Sequence, residues 1–240
     1  AYVRTVSQRP KLNRFIAGQK MYARNGIEVC MAVKRELRSD ETNTVIKVHF
    51  EPTDTAVQVY EKFGKTFDEA TAPKENTFDG TARILNYIPG LLKKFAVGFL
   101  AFLDYFGLLP RFLSRVSCFH GSMFITSMGS LGIPPIYHHL YNFGNIPLFI
   151  AFGRKRRAVE LDEEGKPVKR AYVDYNIVTD ERICDGFAYA SALKLFRRYL
   201  NNPWVLDNPP EQVIEDPNID RKKEKKAKKA KTENLEKTEK

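Results

Sequence analysis

Two apolar stretches separated by a polar turn dominate the second half of the chain. Residues 147–153 (PLFIAFG) are almost continuously apolar, and residues 169–179 (KRAYVDYNIVT) alternate between apolar and polar side chains. The charged segment 162–166 (DEEGK) between them has the composition of a chain reversal. Apolar and alternating runs joined by a turn are typical of paired antiparallel strands. The pattern therefore predicts one long β-hairpin over residues 147–179.

Shorter patterns predict the remaining elements. Residues 44–50 (TVIKVHF) alternate as a strand does, and Asn25-Gly26 between two apolar runs indicates a second hairpin. Helices are predicted over residues 54–70 and after Gly186, where apolar side chains recur at helical spacing. Because strands and helices do not alternate as regular βαβ units, we predict an α+β sandwich of mixed sheet and helices rather than a doubly wound sheet.

An apolar segment lies between residues 84 and 109. Nine consecutive residues without a polar side chain, Phe95–Leu103, are preceded by Lys93 and Lys94 and followed by Asp104. A membrane-spanning helix needs about 20 apolar residues, so this charge-bounded segment is too short to cross a bilayer. Its helical spacing predicts a buried or subunit-interface helix, and the alternative is a helix that lies on a membrane surface.

The C-terminal end differs from the rest of the chain in composition. Of the formal net charge of +10, the last twenty residues carry +6, with ten basic and four acidic residues. This stretch has no aromatic residue and only one large apolar residue, Leu235, too few to offset the entropy of ordering. We therefore predict one domain over residues 1–212 and a disordered Lys/Glu-rich tail over 213–240. The tail is predicted to be solubilising, or to contact RNA, the ribosome or anionic lipid weakly, without specific nucleic-acid recognition.

The cysteines and the start of the chain set further expectations. Cys30, Cys118 and Cys184 are an odd number and lie far apart, which excludes a disulfide framework and a cysteine-ligated zinc site. A reducing, cytoplasmic location is the corresponding expectation. The sequence starts at Ala1 within a segment that has the pattern of a helix end, so we expect N-terminal elements of the domain to be missing.

Standard catalytic motifs of nucleotide-binding proteins, zinc proteases and α/β-hydrolases do not occur in the sequence. His138 and His139 have no evident third partner, so no metal site is predicted. The segment 180–186 (DERICDG) is the stronger candidate, because charged residues cluster between a strand and a helix, where they can face a cleft. The simpler interpretation is that Asp185 caps the following helix.

Three segments together resemble a known family: RPKLNRF near the start, then ITSMGSLG, then DERICDGFAYASALKLFRRYLNNP. In this order they resemble the chloramphenicol acetyltransferase-like superfamily. The closer resemblance is to the catalytic domains of dihydrolipoyl acyltransferases of 2-oxo acid dehydrogenase complexes, and the segment YHHLYNFG after GSLG resembles the small stand-alone bacterial type. The resemblance covers about residues 5–210. It implies a homotrimer with active sites between subunits, coenzyme A as the acyl carrier, a small-molecule acceptor and no metal.

The resemblance also implies roles for individual residues. The family motif H-x-x-x-D-G places its aspartate and glycine at Asp185 and Gly186, and its catalytic histidine at Glu181. The hydroxyl that supports the oxyanion falls on Thr126 or the adjacent Ser127, from a neighbouring subunit. The family's aspartate usually pairs with an arginine near the start of the domain, for which this sequence offers no identified counterpart.

The glutamate at position 181 leaves two functions open. An ordinary glutamate carboxylate, with a pKa of about 4.3, is a weaker base toward a thiol than imidazole by about two powers of ten. Burial of a carboxylate recovers part of that loss, and His138 or His139 could serve as the base instead. The sequence therefore predicts either a coenzyme A-dependent acyltransferase with an altered active site, or a catalytically inactive relative that serves as an oligomeric scaffold or regulatory protein.

Overall fold

The computed structural model describes most of the chain and divides it into two compact units. The described residues are 1–33, 44–71 and 89–216. The first unit contains residues 1–27, 50–59 and 181–216, and the second contains residues 28–49 and 60–180, within the described ranges. The predicted tail beyond residue 216 and the first part of the apolar segment, up to residue 88, lie outside the described residues.

Seven β-strands and five α-helices occur within the described residues. The strands are β1 (Arg14–Ala17), β2 (Lys20–Ala23), β3 (Ile27–Val33), β4 (Thr44–Phe50), β5 (Met123–Ser127), β6 (Leu148–Leu161) and β7 (Pro167–Thr179). The helices are α1 (Tyr2–Gln8), α2 (Ala56–Thr71), α3 (Gly90–Tyr105), α4 (Arg111–Val116) and α5 (Gly186–Asn201). The absence of a regular βαβ alternation from these described elements confirms the predicted α+β class.

A mixed five-stranded sheet forms the centre of the second unit, with the strand order β4-β3-β5-β6-β7. The pairs β3–β5 and β5–β6 are parallel, whereas β6 and β7 are antiparallel. The predicted strand over 44–50 and the long hairpin over 147–179 are therefore confirmed. The core on this sheet consists of Cys30, Phe124, Ile146, Phe149 and Ala151.

The apolar segment of the second unit forms α3 and α4, each preceded by a proline. None of the residues of α3 is buried, so the prediction of a buried helix is wrong. Ala96, Leu100 and Leu103 are half-buried on one side of the helix, whereas its aromatic residues are exposed. None of the described helices combines the length and the apolar character needed to span a membrane.

The first unit brings together distant parts of the sequence. The backbone N–H of Ile214 donates a hydrogen bond to the carbonyl of Ser7 at 2.8 Å. The buried guanidinium of Arg14 donates two hydrogen bonds to the carboxylate of Asp216, at 2.6 and 2.8 Å. Residues 213–216, which the sequence prediction assigned to the disordered tail, are therefore packed within this unit.

The predicted hairpin at Asn25-Gly26 is wrong. β2 pairs with β1 across the turn Gly18-Gln19, whose two residues have φ values of 53° and 62°. β3 belongs to the five-stranded sheet instead. The side-chain amide of Asn13 donates a hydrogen bond to the carbonyl of Gly26 at 3.0 Å. Asn25-Gly26 is therefore a connection between strands of different sheets, and Asn13 contacts it.

Candidate active site

The segment Glu181–Gly186 connects β7 to α5 and begins with a short 3-10 helix, Glu181–Ile183. Ile183 is fully buried and Cys184 is buried, so these two side chains fix the segment within the first unit. Glu181 is exposed, and no described residue forms a hydrogen bond or an ion pair with its carboxylate. The segment therefore combines residues that hold the fold with one carboxylate that the fold does not use.

Asp185 is the N-cap of α5. Its carboxylate accepts a hydrogen bond from the backbone N–H of Ala188 at 2.8 Å. This hydrogen bond, together with the nearby Lys11 ammonium, holds the pKa of Asp185 below its ordinary value. The interpretation of Asp185 as a helix cap is confirmed, and the capped N–H is one of those that α5 cannot satisfy by itself.

Arg14, the second arginine of the segment RPKLNRF, does not pair with Asp185. Arg14 is buried and donates both of its described carboxylate hydrogen bonds to Asp216. Lys11 is the basic residue whose charge acts on Asp185. The aspartate–arginine pair that the family resemblance implies is thus replaced by a backbone cap and a lysine.

Two cavities lie in the first unit. The smaller, of about 180 Å³, is bordered by Cys184 and Ala188, and burial raises the pKa of the Cys184 thiol. A buried, protonated thiol is a poor nucleophile. The larger, of about 440 Å³, includes Asn13 in its wall. The side-chain oxygen of Asn13 is buried and accepts no hydrogen bond from the described residues. None of the six predicted site residues, all of them described, lines either cavity.

One side of α5 borders an open groove of about 370 Å³. Its wall includes three cationic side chains, Arg9, Lys194 and Arg198, and the exposed ring of Phe187. The Nε of Arg9 donates a hydrogen bond to the hydroxyl of Ser191 at 3.0 Å. Guanidinium and ammonium groups converging on one groove are suited to a ligand that carries several negative charges.

Thr126 and Ser127 lie at the end of β5 in the second unit. They pair in parallel with Ala151 and Phe152 of β6. Thr126 is half-buried and Ser127 is exposed. The hydroxyl of Ser127 accepts a hydrogen bond from the backbone N–H of Gly129 at 3.3 Å. Ser127 therefore presents a positioned hydroxyl to solvent where the strand ends.

The glycine-rich segment that follows is held against β6. The N–H of Met128 donates to the carbonyl of Phe152 at 2.7 Å, and the N–H of Arg154 donates to the carbonyl of Ile133 at 2.9 Å. Gly153 permits this close approach, because a Cβ atom at that position would lie 2.4 Å from Cδ of Pro135. The turn after Ser127 is thus fixed by backbone hydrogen bonds and by a glycine that no larger residue can replace without a shift.

The rings of His138 and His139 stack on each other, with centroids 4.9 Å apart. His138 also stacks on Phe149 at 4.3 Å, and its Nδ1 lies 2.6 Å from the carbonyl oxygen of His139. A carbonyl can only accept, so Nδ1 donates and Nε2 is the basic nitrogen of the neutral ring. Because this segment is neither helix nor strand, the two adjacent rings are free to lie against each other instead of pointing to opposite sides.

The sequence interpretation missed a buried histidine with two polar partners. Nδ1 of His120 lies 2.8 Å from the Ser117 hydroxyl, and Nε2 lies 2.8 Å from one carboxylate oxygen of Asp104. The other oxygen of Asp104 accepts from the N–H of Gly144 at 3.1 Å. Since His120 is buried, these bonds tie the end of α3 to the chain before β5 rather than present a nucleophile to solvent. The spacing S-x-x-H was the one local signal for this contact.

The six predicted site residues form two groups. Glu181 and Asp185 belong to the first unit, and the second unit contains Thr126, Ser127, His138 and His139. Within the part of the chain that the structure describes, no group of three His, Cys, Asp or Glu side chains is placed to hold a metal ion.

The fold is similar to that of solved acyltransferases. A probable dihydrolipoamide acetyltransferase of Listeria monocytogenes matches with a TM-score of 0.50 and 14% identity, over 84% of this chain and 68% of that chain. Dihydrolipoamide acetyltransferase of Azotobacter vinelandii matches with a TM-score of 0.46 and 12% identity, over 85% and 66%. A chloramphenicol acetyltransferase matches with a TM-score of 0.40 and 12% identity, over 83% and 73%. No protein-family model and no curated protein matches the sequence. The predicted resemblance is confirmed at the level of the fold.

Proposed function

We propose that this protein transfers an acyl group from coenzyme A to a thiol, hydroxyl or amine acceptor, with Glu181 as the base. The observation that carries the proposal is the division of roles in the segment before α5. Ile183, Cys184 and Asp185 hold the structure, whereas Glu181 is exposed and has no partner among the described residues. The motif resemblance also implies that Glu181 takes the position of the family's catalytic base. A carboxylate without a structural role at that position supports a chemical one.

The chain's own residues account for the proton movements of such a transfer. Glu181 takes the proton of the acceptor as the acceptor attacks the acyl carbonyl carbon. The hydroxyl of Thr126 or Ser127, from a neighbouring subunit, donates a hydrogen bond to the oxygen that gains negative charge. As the carbon–sulfur bond breaks, Glu181 returns the proton to the departing sulfur. One acyl group and one proton move, so the step needs no further co-reactant.

The proposal includes a homotrimer in which a neighbouring subunit covers Glu181. Removing a carboxylate from water strengthens it as a base, which is what a glutamate needs in place of a histidine. His138 is the alternative base, because hydrogen bonding at Nδ1 leaves Nε2 available to accept a proton. If His138→Gln transfers acyl groups at the rate of the parent protein, this alternative is excluded.

Coenzyme A would supply the acyl group as a thioester, and the cationic groove along α5 is the place that we propose for its phosphates. Arg9, Lys194 and Arg198 would hold the phosphate groups. Replacing Arg198 with Gln is expected to weaken coenzyme A binding about tenfold, measured by titration calorimetry, because one charge-assisted contact is lost. Arg157→Gln, an exposed arginine of β6, is the matched control and leaves the affinity unchanged.

Thiol release from a panel of acyl-coenzyme A donors tests the proposal, with dihydrolipoamide, simple alcohols and simple amines as acceptors. The parent protein is expected to turn over at least one donor, and Glu181→Ala to lose about a hundredfold or more of that rate. Glu163→Ala, which removes an exposed carboxylate from the β6–β7 turn, should leave the rate unchanged. Full activity in Glu181→Ala would contradict the role of Glu181.

A catalytically inactive scaffold is the second candidate, and the cap at Asp185 favours it. The hydrogen bond from Ala188 gives Asp185 a sufficient structural reason to be present without catalysis. In that case the parent protein releases no thiol from any donor. Activity gained in Glu181→His would then identify an acyltransferase scaffold that lacks its base.

A further inference from the structure

The solvent-facing side of α3 is its apolar side. Five large side chains recur at helical spacing along it and are between 52% and 87% exposed: Leu91, Phe95, Phe99, Phe102 and Phe106, together called the aromatic stripe. Neighbouring rings of the stripe contact each other, with centroids 6.5 Å apart for Phe95–Phe99 and 4.8 Å apart for Phe102–Phe106. The helix therefore turns its largest apolar surface away from the protein.

The apolar surface continues beyond α3. After Gly107, which has a φ of 70°, the exposed side chains of Leu108 and Phe112 extend it into α4. Contiguous apolar patches above a few hundred Å² are rare on monomeric soluble proteins and mark surfaces that bind a protein, a ligand or a membrane. We therefore expect the aromatic stripe to be a binding surface.

The charges around the stripe identify the kind of occupant. Residues 89–116 contain four basic residues and a single acidic one, Asp104. That carboxylate is already bonded to His120 and to the N–H of Gly144. Lys94 and Arg115 are exposed beside the apolar residues. The surface thus pairs exposed aromatic rings with exposed cations.

We propose that α3 and α4 bind the surface of an anionic membrane. The aromatic stripe would lie at the boundary between headgroups and acyl chains, with Lys94 and Arg115 at lipid phosphates. A helix of 16 residues is about 24 Å long, shorter than the roughly 30 Å hydrocarbon core, so it lies along the surface rather than across it. A contact of the aromatic stripe with the same surface of a second copy would place cations against cations, whereas anionic lipid supplies the opposite charge. A trimer contact with a different surface of the chain is the competing outcome that the oligomer measurement below distinguishes.

The anchoring of α3 is consistent with this orientation. The bonds from Asp104 to His120 and Gly144 hold the end of α3 on the second unit. Ala96, Leu100 and Leu103 are the half-buried apolar residues of the helix. The stripe is therefore presented outward by the fold without any rearrangement, and insertion needs no unfolding of the unit.

Co-sedimentation of the full-length protein with vesicles tests the proposal. One set of vesicles contains phosphatidylcholine with phosphatidylglycerol, and the other contains phosphatidylcholine alone. The parent protein is expected to bind the anionic set, with binding that weakens as salt is raised. Phe95→Ser with Phe102→Ser should weaken binding about a hundredfold, because two large apolar side chains no longer enter the interface. Lys94→Gln with Arg115→Gln should weaken it about tenfold.

The matched control replaces two exposed apolar residues of the same unit, Val159→Ser with Leu161→Ser, and should bind as the parent does. Unchanged helical circular dichroism in all variants separates lost binding from lost folding. Parent-like binding of the Phe95/Phe102 variant would assign binding to another region, such as the basic tail, and overturn the proposal. If the parent protein does not bind the anionic vesicles, the proposal is overturned as well. The same holds if the parent forms oligomers that the Phe95/Phe102 variant does not form, while the variant still binds vesicles as the parent does.

Discussion

Helices α3 and α5 have the same length of 16 residues and opposite surroundings. α5 has a side-chain cap at Asp185 and buries Ala192 and Phe196 in the first unit. α3 has no side-chain cap and buries none of its residues in the second unit. Both sequences have apolar residues at helical spacing. The spacing therefore predicts a helix with one apolar side, but not whether that side faces the protein's own core.

The largest expected effect is the loss of stability when a buried residue of α5 is replaced. Phe196→Ala on α5 should lower the free energy of unfolding by about 3–5 kcal/mol, because it opens a cavity in a packed site. Phe187→Ala, at an exposed position of the same helix, is the control and should change it by less than about 0.5 kcal/mol. Urea denaturation followed by circular dichroism measures both. Equal losses would show that α5 is not held by its buried side.

The next effect concerns how α3 is attached. Asp104→Ala should cost about 2 kcal/mol of unfolding free energy, since it leaves the buried His120 ring and the Gly144 N–H without their partner. Asp68→Ala removes an exposed carboxylate from α2 and should be neutral within about 0.5 kcal/mol. If the two variants unfold at the same urea concentration, then α3 is held in place by contacts other than this carboxylate.

Much of this fold was predictable from local patterns, and the exceptions have a common cause. The β6–β7 hairpin and α5 follow from apolar periodicity, and the cap at Asp185 follows from a D-G pair before a helix. The Asn25-Gly26 hairpin was wrong because β2 pairs with β1 and β3 pairs with β5, a strand distant in sequence. The His120–Asp104 pair, 16 residues apart, leaves no periodic signal in the sequence.

The candidate site was predictable to a smaller extent. The resemblance located the segment before α5, and the structure assigns a capping role to Asp185 there. The exposure of Glu181 does not follow from sequence, because it depends on which neighbours, Ile183 and Cys184, turn inward. The catalytic roles of Glu181, Thr126, Ser127, His138 and His139 are predictions, and the experiments proposed for Glu181 and His138 test two of them directly.

A smaller, pH-dependent effect on stability is expected from the side-chain cap of α5, which α3 lacks. The pKa of Asp185 is lowered in the folded state, so its contribution to stability is complete above its ordinary pKa and is lost as the pH falls through the lowered value. Asp185→Ala should therefore destabilise the protein at neutral pH, with a difference from the parent that disappears in acid. Thermal unfolding as a function of pH measures this. A difference that persists unchanged below about pH 3 would contradict the cap.

The smallest expected effect is on α3 itself. Phe102→Ser should change the free energy of unfolding by less than about 0.5 kcal/mol in the absence of membranes, because the ring is exposed. Urea denaturation gives the value directly. A loss comparable to that of Phe196→Ala would mean that the stripe is covered in solution, and the contrast between the two helices would not hold.

The most direct test of Glu181 as the base is a paired measurement on Glu181→Gln, in which the amide keeps the shape of the side chain but does not accept the proton. Acyl-coenzyme A turnover and the free energy of unfolding are determined on the same preparation. Turnover is expected to fall about a hundredfold or more while stability stays within about 0.5 kcal/mol of the parent. Unchanged turnover with a clear loss of stability would contradict that role, because Glu181 would then hold the fold and not the chemistry.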